Sequence, residues 1–106
     1  MPKFMVQASY TADGTKGLVR DGGSKRRAVV EKLIAGLGGK LEGFYFAFGE
    51  TDAIIIADLP DVASVVAVSL AVAASGSVTS TTTPLITPEE MDAACKKHVG
   101  YTPPGA

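Results

Sequence analysis

The chain has 106 residues, of which 46% are hydrophobic, and ten Lys and Arg against eleven Asp and Glu give a formal net charge of -1. This length suits one domain with a thin hydrophobic core and leaves no room for a second core. The balanced charge argues against a basic nucleic-acid-binding or polybasic membrane-binding module, and the apolar content argues against disorder.

The first part of the chain predicts a strand followed by a helix. Apolar and polar residues alternate from Lys3 to Tyr10, which is the period of a strand. The stretch from Thr11 to Gly23 is rich in turn residues at both ends and has room for a short helical turn around Leu18. Ser24 can cap a helix that runs to about Leu37, and the glycine pair that follows ends it. The apolar residues of this helix are spaced to lie on one face and comprise Val30, Leu33, Ile34 and Leu37.

The middle of the chain predicts a hairpin and a second helix. Two strands, Leu41–Phe48 and Ala53–Leu59, are separated by Gly49–Asp52, which is short enough for a hairpin turn. Pro60 and Asp61 then open a helix to about Ser75. The valine content of this segment leaves a strand open as the alternative, whereas its alanines, its length and its Pro-Asp start favour a helix.

The C-terminal part predicts a fourth strand, Val78–Ile86, and a terminal helix. The sequence Thr87-Pro88-Glu89-Glu90 is typical of a capping box with proline at the first helical position. We expect this helix to end at Gly100 and to be followed by an extended tail at 101–106. Its apolar stripe is expected to face inward and comprises Met91, Ala94, Cys95 and His98.

This order of elements, β-α-β-β-α-β with an extra C-terminal helix, is the ferredoxin-like α+β arrangement in a single domain over residues 1–106.

In this arrangement the two helices between the strands cover one face of the sheet and leave the other face bare. The second strand is largely apolar on both faces, with Phe44, Phe46 and Phe48 on one side, and the third carries the apolar run Ile54–Ile56. Because neither strand has a water-facing side, we predict that a second copy covers the bare face. The alternative is a monomer with a hydrophobic groove for a ligand or partner.

The stretch from Val62 to Pro88 carries no charge, which superficially suggests a membrane span. Its continuous apolar part runs only from Val65 to Ala74, whereas a spanning helix needs about 20 apolar residues. The N-terminal residues lack the apolar core and cleavage site of a signal peptide, and Cys95, the only cysteine, can form neither an intrachain disulfide nor a cysteine-based metal cluster. We therefore expect a cytoplasmic protein that does not enter a membrane.

Several joined motifs resemble those of the GYD-domain family. They cover nearly the whole chain and comprise Gly22-Gly23-Ser24 with Arg27, Gly38-Gly39-Lys40-Leu41-Glu42, Phe44-Tyr45-Phe46-Ala47-Phe48-Gly49-Glu50, Thr51-Asp52 and Thr82-Thr83-Pro84-Leu85-Ile86-Thr87-Pro88-Glu89-Glu90. The resemblance implies a small bacterial protein of the dimeric α+β-barrel group, in which two ferredoxin-like sheets pack face to face. The family has no established activity, so the resemblance implies no catalytic residue. The tyrosine of its Gly-x-Tyr-Asp signature is Thr51 here, so no role for that phenol carries over.

Polar side chains on the predicted sheet suggest a ligand pocket for a small, mostly apolar molecule. The candidate residues are Gln7, Ser9, Tyr45, Phe46, Glu50 and Asp52. The first strand neighbours the hydroxyl-rich fourth strand in the ferredoxin-like order, so these groups come together. The two carboxylates at the hairpin could share a proton or bind a cation, whereas the alternative is that acidic residues favour turns and water there.

The start of the first predicted helix is a candidate anion site. Backbone N–H groups at a helix N-terminus can receive a phosphate-like anion, and the candidates are Gly22, Gly23, Ser24 and Arg27. The alternative is an exposed first turn after a glycine loop, since the motif is neither a Walker A nor a dinucleotide fingerprint. His98 and Cys95 are expected to be packing residues rather than metal ligands.

The sequence thus predicts a homo-oligomeric protein that binds a small molecule or serves as an assembly unit. The alternative is a small cofactor-free enzyme, an oxygenase or isomerase, with a pocket between sheet and helices or at the dimer interface; this rests on fold analogy. No catalytic residue, metal or cofactor is assigned. The expected partners are a second copy and a small-molecule ligand, with no nucleic acid and no membrane.

Overall fold

Four antiparallel strands form one sheet in the computed structural model, which describes residues 1–106. The strands are β1 (Lys3–Tyr10), β2 (Lys40–Phe46), β3 (Ala53–Asp58) and β4 (Val78–Leu85), in the spatial order β2-β3-β1-β4. The helices are α1 (Ala12–Asp21), α2 (Gly23–Gly36), α3 (Val62–Ser75) and α4 (Pro88–Cys95). This confirms the predicted ferredoxin-like α+β fold, with α1 as an addition between β1 and β2.

The helix α1 corrects the prediction of a mostly turn-like stretch before Gly23. The Thr11 hydroxyl accepts a hydrogen bond from the Gly14 N–H at 3.3 Å, which caps the helix start. Gly14 packs directly against the backbone carbonyl of Ser77, where a Cβ would not fit. Glycine costs about 1 kcal/mol in a helix relative to alanine, and here the tertiary contact requires it.

The helices cover one face of the sheet and build a thin core there. The main cluster of buried residues comprises Phe4, Ile34, Ala57, Leu59 and Val65, and a second comprises Ala8, Ala53 and Val78. Phe44 packs against the second cluster, and Phe46 lies on the same face because side chains two apart on a strand share a face. Phe48 lies beyond the end of β2 and is fully exposed. These phenylalanines therefore do not form the surplus apolar surface that the sequence led us to expect on the bare face.

The opposite face of the sheet has no helix over it, and we call it the bare face. Its apolar half is a block on β1, β2 and β3 in which Tyr45 pairs with Ile54 and Met5 pairs with Ile56. Its other half is polar and comprises Gln7, Ser9, Thr79, Thr81 and Thr83. At one end the Lys3 ammonium forms ion pairs with Glu42 and, at 3.1 Å, with Asp58.

The C-terminal arm, Ile86–Ala106, leaves the end of β4, and every one of its residues is exposed. The helix within it, α4, ends at Cys95 rather than Gly100. The prediction that the apolar stripe of α4 faces inward is wrong within the single chain, because Met91 is 49% exposed and Cys95 is also exposed. The arm contributes to a Cα radius of gyration of 16.9 Å, against about 13 Å for a compact domain of this length.

None of the helices has the length and apolar character required to cross a membrane.

Candidate functional site

The candidate pocket residues of the strands lie on both faces of the sheet. Along one row of the bare face, Tyr45 pairs with Ile54, Ile54 with Gln7, and Gln7 with Thr81. Ser9 lies on the same face one row further along, whereas Phe46 points to the helices. The structure therefore brings Gln7 and Tyr45 to either side of Ile54 and separates Phe46 from them.

The two hairpin carboxylates occupy different environments in the loop between β2 and β3. The Asp52 carboxylate is half-buried, and its Oδ2 accepts a hydrogen bond from the backbone N–H of Tyr10 at 2.8 Å. Glu50 is exposed, and its backbone carbonyl accepts a hydrogen bond from the Ser9 hydroxyl at 3.5 Å. The paired register of β2 with β3 ends at Phe46 and Ala53, and beyond it the Ala47 N–H still donates a hydrogen bond to the Asp52 carbonyl at 2.8 Å. Asp52 thus stabilises the junction of strand and loop through its side chain.

The glycine-rich start of α2 brings three of the four anion candidates together. Gly23, Ser24 and Arg27 line one shallow recess together with Phe44 and Phe46. Gly22 does not line this recess. It lies between α1 and α2, and its φ of 83° is in the left-handed region that favours glycine. A Cβ at Gly23 would come within 2.8 Å of the Phe46 ring, so this glycine lets the helix start approach the strand.

A cavity of about 70 Å³ lies between the sheet and the helices, where the enzyme alternative had placed a pocket, but none of the six candidate pocket residues lines it. It can hold several waters or one small organic molecule, since a water needs about 10–15 Å³ of such volume. Apolar side chains form most of its wall, among them Phe4, Val6, Val30, Ile55, Val65 and Val72. Four residues with polar groups in their side chains also line it: Tyr10, Arg26, Ser69 and Ser80.

Arg26 lines both this cavity and a wider cleft of about 410 Å³ bordered by α1, α2 and α3. Asp21, also in the cleft, forms ion pairs with Arg20 at 3.4 Å and with Lys25 at 3.7 Å. The half-buried Arg26 has no carboxylate within ion-pair distance. The sequence contains a signal for the position of Arg26, because Arg26 stands four residues before Val30 and extends the apolar stripe of α2 by one turn.

The arrangement of these groups favours binding of a small molecule with an apolar body and an anionic end. The apolar wall would take the body, and the guanidinium can donate paired hydrogen bonds to a carboxylate. His98 and Cys95 lie far along the chain on the exposed arm, and no group of three or more His, Cys, Asp or Glu could hold a metal ion.

Comparison with known proteins gives one match. The family model described as GYD domain matches residues 4–95, which extend from β1 through α4. No curated protein and no solved structure matches the chain at a significant level.

Proposed function

This chain belongs to the GYD domain family, and we propose that it acts as a homodimeric module whose two copies pack through their bare faces. The observation that carries this proposal is the apolar half of the bare face, in which Met5, Tyr45, Ile54 and Ile56 form one block across three strands. Tyr45 is 65% exposed there, and Met5, Ile54 and Ile56 are half-buried. Soluble monomers rarely expose contiguous apolar patches of this kind, and a two-fold axis lets one patch cover its own copy.

The total exposed surface supports the same proposal. The chain exposes 7373 Å², against about 5,600 Å² for a folded monomer of its mass. The excess is about 1,800 Å², more than the roughly 800 Å² that each partner contributes to a stable interface of standard size. Part of this excess belongs to the exposed C-terminal arm, Ile86–Ala106, so the figure shows that the whole chain, and not the bare face by itself, has surface for a second copy to cover.

Light scattering coupled to size exclusion tests the homodimer. We expect the wild-type chain at micromolar concentration to have twice its mass of 10.9 kDa. Ile54→Lys should yield a monomer with an unchanged circular dichroism spectrum, because a lysine at the centre of the interface would be desolvated without a counter-charge.

The matched control is Val19→Lys, since Val19 is 81% exposed on α1, away from the bare face. This variant should remain a dimer. A monomeric wild-type chain would overturn the proposal, and so would a dimer that tolerates Ile54→Lys.

A second function, binding of a small anionic and largely apolar molecule, is favoured by the unpaired Arg26 beside the apolar cavity. Hexanoate is a suitable probe because it combines a short aliphatic chain with a carboxylate. The cavity wall carries no carboxylate and no imidazole, and its charged side chain is Arg26, so we propose binding rather than proton transfer as its role.

Titration of hexanoate, followed by NMR, tests this second function. Arg26→Gln should weaken binding roughly tenfold or more, the usual cost of losing a charge-assisted hydrogen bond. Arg27→Gln is the matched control and should leave the affinity unchanged, because Arg27 lines the recess at the α2 start instead. The opposite pattern would place the anion at the helix start and refute binding at the cavity.

A further inference from the structure

The C-terminal arm has no packing surface within its own chain, and we propose that its helix α4 docks in the groove between α3 and β4 of a second copy. This inference rests on the proposed homodimer, to which it adds an exchanged arm and a specific groove. In a two-fold dimer each copy would contribute one α4 and one groove.

The helix α4 is too short to be stable without a partner surface. It has eight residues, and isolated helices below about 12–15 residues are marginal in water. A capping box between Thr87 and Glu90 satisfies its first N–H groups, but burial of an apolar face supplies most of the stability of a protein helix. All eight residues are exposed in the single chain, so a surface outside this chain is needed.

The groove between α3 and β4 is an apolar surface of the right kind. Val62, Val66 and Leu70 recur every four residues on α3 and are 68%, 47% and 65% exposed. A helix that is apolar all round is normally buried, so this outer face of α3 is also incomplete. The groove has a volume of about 700 Å³, and its wall includes Val66, Leu70, Ala73, Thr82 and Pro84.

Neither the groove nor the apolar face of α4 carries a charge. No residue from Val62 to Pro88 is charged, so the groove offers no counter-ion for a buried charge. On α4, Met91, Ala94 and Cys95 have the spacing of one helix face, which is free of charge. This face can enter the groove while the acidic residues of the first turn remain in water.

The path of the chain favours the groove of a second copy over the groove of the same chain. Thr87 joins β4 to α4 with an extended backbone, at φ −79° and ψ 161°. It precedes Pro88, whose ring disfavours the helical conformation at the preceding residue. Every residue from Ile86 to Ala106 is exposed, so the arm does not lie in the groove of its own chain, and the long axis of the molecule reaches 56 Å.

A disulfide can report the docking, because Cys95 is the only cysteine and lies on the apolar face of α4. A full-length chain carrying Leu70→Cys and Cys95→Ser is mixed with isotope-labelled wild-type chain in oxidised glutathione. Disulfides form only between Cα atoms within about 7 Å. We expect a covalent species that contains one copy of each chain, identified by its mass without reduction. A chain carrying Val19→Cys and Cys95→Ser is the matched control and should not form one.

The dimer dissociation constant provides the second measurement. Met91→Lys should raise it roughly tenfold or more, as expected for loss of a buried interface anchor. Ala93→Lys, on the opposite side of α4, should leave it unchanged. If the wild-type chain is a dimer but the mixed disulfide does not form, the docking of α4 is overturned and the homodimer stands. An intrachain disulfide in a chain that carries Leu70→Cys with native Cys95 would likewise overturn the docking of α4 on a second copy. A monomeric wild-type chain would overturn both this inference and the homodimer.

Discussion

The carboxylate of Asp52 accepts a hydrogen bond from the backbone N–H of Tyr10 at a distance of 2.8 Å. The same residue donates its own backbone N–H to the carbonyl of Ala8, and its carbonyl accepts from the N–H of Ala47, both at 2.8 Å. Asp52 thereby joins the end of β1 to the loop after β2. The carboxylate of this candidate residue therefore holds the backbone at the junction of β1 and the loop.

Replacing Asp52 should therefore reduce stability. Asp52→Ala leaves the Tyr10 N–H without this acceptor, and we expect a loss of about 1–3 kcal/mol in the free energy of unfolding. Urea denaturation measures the change. Glu50→Ala serves as the control and should stay within about 0.5 kcal/mol of wild type, since the Glu50 side chain is exposed. Equal losses in both variants would contradict the role assigned to Asp52.

A second prediction concerns Gly39, which lies where α2 gives way to β2. A Cβ there would collide with the Asp58 carbonyl and come within 2.8 Å of Leu59 Cδ2 and 3.1 Å of Ile34 Cγ2. Gly39→Ala should cost about 1–3 kcal/mol through overpacking. The control is Gly36→Ala, because nothing lies within 4 Å of its added Cβ, and this change should stabilise the fold by up to about 1 kcal/mol. Thermal unfolding would distinguish the two signs.

Core packing gives a third prediction, centred on α2. Ile34 is 3% exposed and belongs to the main buried cluster, so Ile34→Ala should destabilise the protein by about 2–5 kcal/mol. The milder Ile34→Val should cost about 0.5–1.5 kcal/mol and keeps the effect measurable if the alanine variant does not fold. Val29→Ala, on the same helix at 45% exposure, should cost less than Ile34→Ala. A larger loss at Val29 than at Ile34 would argue against the observed packing of α2.

A fourth prediction is a pH dependence at the start of α3. The Ser64 N–H donates a hydrogen bond to Asp61 Oδ1 at 2.7 Å and, with a second hydrogen bond from the Ser64 side chain, lowers the pKa of Asp61 below its ordinary value of 3.8. The folded chain thus binds this proton less tightly than the unfolded chain. The contribution to stability is present above pH 3.8 and is lost as the pH falls through the lowered pKa.

Asp61→Asn isolates this effect, because asparagine also caps helices but does not titrate. Its stability should fall less than that of wild type on acidification from about pH 5 to pH 2, measured by urea denaturation at each pH. Asp61→Ala should be less stable than wild type at neutral pH, since the cap is lost. An Asp61→Asn profile parallel to that of wild type would show that the carboxylate does not contribute.

Some features of this protein were predictable from local sequence. Alternation over Lys3–Tyr10 and the capping box at Thr87 correctly indicated β1 and the start of α4. The order of elements and the joined motifs correctly indicated the ferredoxin-like fold and the GYD domain family. These signals succeed because strand period and helix capping depend on residues a few positions apart.

Other features depended on contacts between distant segments. Period-two alternation shows that Phe44 and Phe46 share a face, but the packing of α2 and α3 decides that this face is the covered one. The role of Asp52 depends on a hydrogen bond to Tyr10 at the end of β1, and the position of Arg26 beside the cavity depends on how α2 lies over the sheet.

The sequence alone determined that the chain carries more apolar surface than a thin core needs. Tertiary structure decided where that surface lies: on Tyr45 of the bare face, on the outer side of α3, and on α4. The physical reason is that composition sets how much apolar surface a chain has, whereas only the packing of its elements determines which part of it stays in water.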